Sequence, residues 1–257
     1  MNGAPIFTRP KFTRRGLLVG GSGLLLGGCD KLNESPGFRS LLIGSERLHQ
    51  RSQRLIGGHE PLATEFTERD MSPEFRANGS RNVADIGYQQ HVLDKFANWS
   101  LIVDGLVRRP LALPLAALQA LPQREQITRH DCVEGWSAIG KWQGPQLSML
   151  LDRAEILPSA HYIVFHCADR FGTTPYYESI DLIDAFHPQT ILAWRMNGQP
   201  LPVAHGAPIR LRVERQLGYK HAKYVMRIEA RASLAGLYGG KGGYWEDVGD
   251  YAWYAGI

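Results

Sequence analysis

Between Met71 and Tyr254 the chain is punctuated at short intervals, and this rhythm limits its fold more than any single residue does. Apolar runs of strand length are closed by Gly, Asn or Pro turn signals. Trp99 to Val103 alternates as a strand, and Asp104-Gly105 ends it with a hairpin signal. Pro114 to Leu121 predicts a short helix with proline at its first position. Ile127 to Val133 predicts a strand that delivers Cys132. After a Gly144-Pro145 break, Leu147, Leu150, Leu151 and Ala154 fall at helical spacing, predicting a helix over 147–157. Tyr162 to Cys167 predicts a strand, Phe171 to Tyr177 an irregular loop, and Asp181 to Phe186 a short helix. Ile191 to Met196 with Asn197-Gly198 predicts a hairpin; Ile209 to Val213 and Lys223 to Glu229 predict strands. The glycine- and aromatic-rich tail, Leu237 to Tyr254, is expected to pack back onto the domain. There are no repeats. Strands and short helices mix without regular βαβ alternation, so the class is α+β rather than a doubly wound sheet.

The N-terminus reads differently. Lys11, Arg14 and Arg15 precede an apolar, glycine-rich run from Gly16 to Gly28. At about thirteen residues that run is short for a bilayer, so a removable signal fits better than a membrane helix. Arg14-Arg15 before Gly16-Leu17-Leu18 is similar to a twin-arginine export signal, which carries folded proteins to the periplasm. Leu26-Gly27-Gly28-Cys29 also looks like a lipobox: Cys29 is either a lipid-anchored first residue of the mature chain or is discarded with the signal. Three segments are therefore expected: residues 1–29 as export signal, 30–70 as a linker or surface wrap without its own core, and 71–257 as the functional domain. A hydrophobic fraction of 44% supports a real core in that domain. The net charge is only +4, part of it in the first fifteen residues. No dense Lys/Arg run interleaved with aromatics is present, which argues against nucleic-acid binding.

The chemistry concentrates around Cys132, one of three cysteines, in Thr-Arg-His-Asp-Cys-Val-Glu-Gly-Trp-Ser (128–137). A thiolate is both a soft-metal ligand and a nucleophile. Gly135, Trp136 and Trp142 offer close backbone approach and aromatic walls. The plain alternative is a buried cysteine among core tryptophans. Further on, His205, Arg210, Lys220 and Lys223 lie on segments able to converge, with Gly206 and Gly218 permitting an anion nest of backbone N–H groups. The alternative is an ordinary basic face on two strands. Structural zinc at His130-x-Cys132 and His166-Cys167 is disfavoured, because adjacent residues on a strand face opposite ways. A cysteine hydrolase leaves the basic constellation unexplained. A non-catalytic exported binding module predicts a protein without a bound metal.

Three words in order, Cys-Val-Glu-Gly-Trp-Ser (132–137), His-Gly-Ala-Pro-Ile-Arg-Leu (205–211) and Gly-Tyr-Lys-His-Ala-Lys (218–223), resemble the molybdopterin-binding domain of the sulfite oxidase superfamily. The nearest likeness is to its bacterial exported branch, which includes the catalytic subunit of periplasmic methionine sulfoxide reductase. It runs from about Phe75 to about Glu229. The resemblance implies the sulfite-oxidase-type fold, α+β with mixed sheets and short helices. It implies that Cys132 ligates molybdenum together with one molybdopterin. The 220–223 stretch, with Lys220 and Lys223, would hold the pterin's phosphate, and His205 and Arg210 would bind the pterin. Relatives often carry asparagine where His205 stands. Asn78, beside Arg76, stands where the family places a cofactor contact. Cys167 stands opposite a threonine that lines the metal site. Tyr176 stands where sulfite oxidases place an active-site tyrosine, whose hydroxyl is able to bond an oxo group or substrate oxygen.

The same comparison bears on substrate. Sulfite oxidases follow the ligand cysteine with a Gly-Asn-Arg type segment whose arginine binds the anion. Here Val133-Glu134-Gly135-Trp136 puts an acid and an aromatic there. A neutral S-oxide or N-oxide is therefore expected, with Trp136 as an apolar wall, and sulfite oxidation is the alternative. Neither a b-type haem domain nor an immunoglobulin-like dimerisation domain is expected. A separate redox partner, a membrane haem protein or a soluble cytochrome, and a monomeric state are expected.

Overall fold

The computed structural model describes residues 35–57 and 61–257; Arg14, Arg15 and Cys29 lie outside them. The chain divides after His49 into two compact units. Of the first, the described part is the beginning of helix α1 (Pro36–Gly57), which opens on a proline at its first position. The second unit starts at Gln50. The 30–70 stretch contains a 22-residue helix, and its later part belongs to the domain. Arg54 anchors the end of α1 through Asp181 (3.1 Å) and Asp184 (2.9 Å). Residues 65 and 66 already pair with the sheet: the Phe66 N–H donates to the Ile127 carbonyl at 2.8 Å, and Glu65 bridges Thr128.

A five-stranded sheet runs β2-β1-β11-β5-β6. It is built from β1 (Ser100–Gly105), β2 (Leu111–Pro114), β5 (Tyr162–Phe171), β6 (Thr174–Asp181) and β11 (Val225–Arg231). Only the β1–β11 pairing in it is parallel. Alternation drives one face inward: Leu101 and Val103 of β1, Ile163 and Phe165 of β5, and Ile228 of β11 are buried. Against them packs α4 (Leu147–Ala154), whose Leu147, Leu150, Leu151 and Ala154 form the predicted apolar stripe. Short helices α2 (Ile86–Leu93), α3 (Leu115–Gln119), α5 (Leu182–Ala185) and α6 (Tyr244–Gly249) fill the connections.

A four-stranded sheet, β3-β4-β8-β9, combines β3 (Gln123–Asp131), β4 (Ser137–Pro145), β8 (Arg195–Met196) and β9 (Gln199–Pro200). A two-stranded ribbon pairs β7 (Ile191–Ala193) with β10 (Arg210–Arg212). The architecture is the expected α+β with mixed sheets. Two local expectations fail. The Phe171–Tyr177 segment is not a loop but the turn into β6. Its Thr-Thr-Pro opening hid a strand, and β6 is a sheet edge, where proline is tolerated. The strand β4 was not foreseen, because Gly140, Gly144 and Pro145 break its local pattern. Its stability comes from β3, with which it pairs over nine residues.

The inward faces of β3 and β10 are polar. Gln126, Thr128 and His130 of β3 and Arg210 and Arg212 of β10 are almost completely shielded from water. Arg212 makes a bidentate pair with Glu214, at 2.8 and 2.5 Å, and also reaches His130 Nδ1 at 3.1 Å. Gln126 donates to the same glutamate at 2.8 Å. Removing one member of a buried pair leaves an uncompensated charge. Glu214→Ala is therefore expected to destabilise the protein by about 3–5 kcal/mol, read as a lowered midpoint of urea unfolding.

Candidate active site

Cys132 sits at the tip of the β3–β4 hairpin. Its carbonyl accepts from the Gly135 N–H at 3.0 Å, and its N–H donates to the Trp136 carbonyl at 2.9 Å. Gly135, at φ +86°, supplies the left-handed residue that a three-residue hairpin loop needs after its turn. The Cys-Val-Glu-Gly-Trp word is thus a turn motif that carries the thiol at its first corner. The Asn78 Nδ2 donates to Cys132 Sγ at 3.6 Å. Burial pushes the thiol up, against a backbone hydrogen bond from Glu134. The Glu134 carboxylate adds to the rise and Asn78 opposes it. A thiol held this way is a soft donor that would bind a metal as the thiolate.

A cavity of about 130 Å³ opens beside this tip. Its walls combine Cys132 and Glu134 with Asn78, Asp169, Arg210 and Lys223. Gly218, Tyr219 and His221 form another side. Gly218 is required there by space: a Cβ would lie 2.4 Å from the His130 ring. Lys223 clamps the loops together. Its ammonium donates to the carbonyls of Asn78 (2.8 Å), Ala204 (3.0 Å) and Ser80. Tyr88 donates to the Ala207 carbonyl at 2.6 Å and Tyr224 to the Ser80 carbonyl at 2.8 Å, pinning the same two loops.

Arg210 is the most telling charge. It is buried, and its contacts are long bonds to the carbonyls of His205 (3.2 Å) and His221 (3.4 Å). Its Nε has no partner. Among the described residues no carboxylate pairs with it, since Glu214 is held by Arg212. Burial, then repulsion from Arg212, lowers it to about 9. Burial, then Arg210, lowers Lys223 to about 7. Such a site favours an anion, which restores the missing counter-charge. A soft thiol donor beside a buried, unpaired guanidinium fits a metal carried on an anionic cofactor.

Of the sequence-predicted residues, Cys132, Asn78, Tyr176, Arg210 and Lys223 meet in this cavity. Three do not line it. The Lys220 ammonium lies between Glu178 (2.5 Å) and Glu246 (2.6 Å), all three side chains being inaccessible to water. His205 is half-buried, with its ring 5.9 Å from Phe75; its carbonyl steadies Arg210, and burial lowers the imidazole to about 4. The Cys167 thiol bonds weakly to the Phe165 carbonyl at 3.9 Å and is pushed well up by burial and then by Asp169. Both Cys132 and Cys167 are free thiols. Tyr176 lines the cavity, but its hydroxyl donates to the Tyr219 carbonyl at 2.9 Å rather than towards a ligand. Trp136 packs beside Phe75 and His130 instead of forming the cavity's apolar wall.

Sequence reasoning missed Asp169, His221, and the aromatic group of Phe171, Trp245 and Tyr251, all of which line the cavity. A lone acid at the end of a strand-like run was the one available signal for Asp169. Its Oδ1 has no partner, and burial raises the carboxyl to about 6. His221 is held neutral by burial; its Nε2 lies 3.0 Å from the Gln216 carbonyl, which leaves Nδ1 as an acceptor.

Three similarities to known proteins can be set beside this geometry. The profile of the oxidoreductase molybdopterin-binding domain matches residues 89–235. YedZ1 of Azospira oryzae, named as a protein-methionine-sulfoxide reductase subunit, is 37% identical over 251 residues, 96% of this chain and 87% of its own. Among solved structures, the sulfane dehydrogenase SoxCD from Paracoccus pantotrophus aligns with a TM-score of 0.50 and 22% identity. That alignment covers 53% of this chain and 39% of the other, a likeness of fold.

The cavity's charge balance has a measurable consequence. Asp169 has a folded-state value above its unfolded one, so the folded protein holds the extra proton between about pH 4 and 6. Its contribution to stability falls as pH rises through that window. Asp169→Asn removes this term. The variant's melting temperature, relative to the parent, is expected to rise between pH 4.5 and 7.5, by an amount corresponding to about 1–3 kcal/mol.

Proposed function

The chain belongs to the oxidoreductase molybdopterin-binding family, and we propose that it is an exported molybdenum enzyme that reduces an S-oxide, with Cys132 as the metal's protein ligand. The observation that carries this reading is convergence. Cys132, Asn78, Arg210 and Lys223 come from four separated stretches and line one cavity. Arg210 answers an anionic group, Gly218, Tyr219 and His221 line the cavity with it, and Lys223 and Asn78 hold the loop that faces Cys132. A single such constellation fits one pterin per metal. When bound, the molybdenum cofactor supplies two-electron oxygen-atom exchange. Reduction of an S-oxide consumes two electrons and two protons and yields a sulfide and water. Asp169 is the residue suited to hold a proton at the cavity, because Tyr176 and Lys223 direct theirs at carbonyls.

An S-oxide is favoured over an N-oxide by the name of the Azospira relative. Sulfite oxidation is the second reading, and Arg210 is the observation in its favour. If Arg210 serves the cofactor, however, Glu134 faces the remaining space and repels an anion. That relative is named a subunit, which supports a separate electron donor, a membrane haem protein or soluble cytochrome. Export rests on Arg14-Arg15 and the apolar run after them, with Cys29 as lipid anchor or cleavage remnant.

Cys132→Ala is expected to abolish turnover of methionine sulfoxide with a reduced viologen, at a stability cost of about 1 kcal/mol. Wild-type protein is expected to contain molybdenum and pterin, and to turn over methionine sulfoxide with a higher kcat/KM than sulfite with ferricyanide. Protein without metal or pterin would mark a binding module instead, and a higher kcat/KM for sulfite would select the second reading. Replacing Arg14 and Arg15 by lysine is expected to leave precursor in the cytoplasm, as read by fractionation and immunoblot. Unchanged export would remove the twin-arginine assignment.

A further inference from the structure

The apolar side of the cavity is built from Phe171, Trp245 and Tyr251. The rings touch in a chain. Phe171 meets Trp245 edge-on at 5.5 Å, Trp245 stacks on Tyr251 at 5.7 Å, and Tyr251 meets Tyr219 edge-on at 5.0 Å. Phe171 also stacks on Tyr244 at 4.7 Å. Phe171, Trp245 and Tyr251 are each only half-buried, so ring surface is left for a ligand.

The segment carrying Trp245 is fastened from beneath. Next to Trp245, Glu246 is fully buried and accepts from Lys220 at 2.6 Å. Asp247 accepts from the N–H groups of Gly239 (3.0 Å) and Lys241 (2.9 Å), and from the Tyr177 hydroxyl. A wall fixed this way is set before ligand arrives, which lowers the entropy lost on binding.

We infer that Phe171, Trp245 and Tyr251 form the specificity wall of the site and select S-oxides carried on an extended thioether side chain, methionine sulfoxide within a peptide, over compact ones such as dimethyl sulfoxide. The inference rests on the S-oxide reading above. The physical reason is contact. Methylene groups next to sulfur gain from burial on aromatic faces, and sulfur itself favours ring edges. A two-carbon S-oxide reaches the reacting position without covering the wall.

The test uses the cofactor-loaded enzyme, reduced viologen as electron source, and N-acetylmethionine sulfoxide amide beside dimethyl sulfoxide. Trp245→Ala is expected to raise KM for the amide about tenfold, with kcat within about twofold and dimethyl sulfoxide kcat/KM down only about twofold. Trp245→Phe is expected to restore most of the loss. Titration calorimetry with N-acetylmethionine amide, which needs no turnover, is expected to show binding about tenfold weaker in Trp245→Ala. Molybdenum and pterin contents are expected to match the parent. If the alanine variant misfolds, Tyr251→Leu carries the same comparison. Equal losses for both substrates, no change for either, or lost pterin would overturn the inference, the last by assigning the wall to the cofactor. A parent enzyme inactive on both S-oxides would overturn the S-oxide reading itself, and this inference with it.

Discussion

Arg210 and Arg212 both enter the interior from β10, over the face of Trp142 at 5.0 and 4.4 Å. Two guanidiniums cut off from water repel each other and need compensation. Glu214 compensates one of them through a bidentate pair, and the polar inner face of β3 closes around that pair with Gln126, Thr128 and His130. The second is left with carbonyl contacts alone. The short ribbon, the polar side of β3 and the buried tryptophan thus serve to hold one cation at the edge of a cavity without a partner. Such an arrangement is costly in isolation, and an arriving anion would offset the cost.

The same logic recurs at lower cost around Lys220. Two glutamates from distant segments enclose its ammonium, each with one oxygen unpartnered. Burial raises Glu178 well above the ordinary carboxylate range, with the neighbouring Glu246 adding to the rise. A proton retained there lets the trio approach neutrality. Through this trio the 218–220 turn, which approaches the cavity, is joined to β6 and to the C-terminal helix. The floor of the site and its aromatic side therefore share one buried anchor.

Against these rigid surroundings the reactive thiol is presented on a hairpin tip. A tight loop fixes the position of Cys132 through its own hydrogen bonds, and Asn78 orients the sulfur from a loop that Lys223 clamps. Cys132 and Arg210 thus belong to different sheets, and the Lys223 ammonium ties together the loops beside them. Glu134 on the same tip brings a carboxylate to the cavity, and Phe171, Trp245 and Tyr251 bring aromatic rings to it.

The α+β class was legible from strand-length alternation broken by turn residues, and the helix of Leu147 to Ala154 from its apolar spacing, since both depend on local periodicity. Cys132 and the basic constellation were legible as motif words. Which of those cations would face a ligand was not. Arg210 and Arg212 have the same parity on one strand, and Lys220 and Lys223 share one short segment. What separates them is where carboxylates arrive: Glu178 and Glu246 reach Lys220 from 42 and 26 residues away. The polar inner face of β3, the strand hidden in β4 and the aromatic side from the tail were likewise decided by tertiary structure. The sequence by itself determined the elements and the reactive residue types, because periodicity and turn chemistry are local. Arg212 takes its carboxylate from two residues away, but Lys220 is neutralised by carboxylates from segments far apart in the chain, and only the tertiary structure sets Arg210 beside a cavity while it encloses its neighbours.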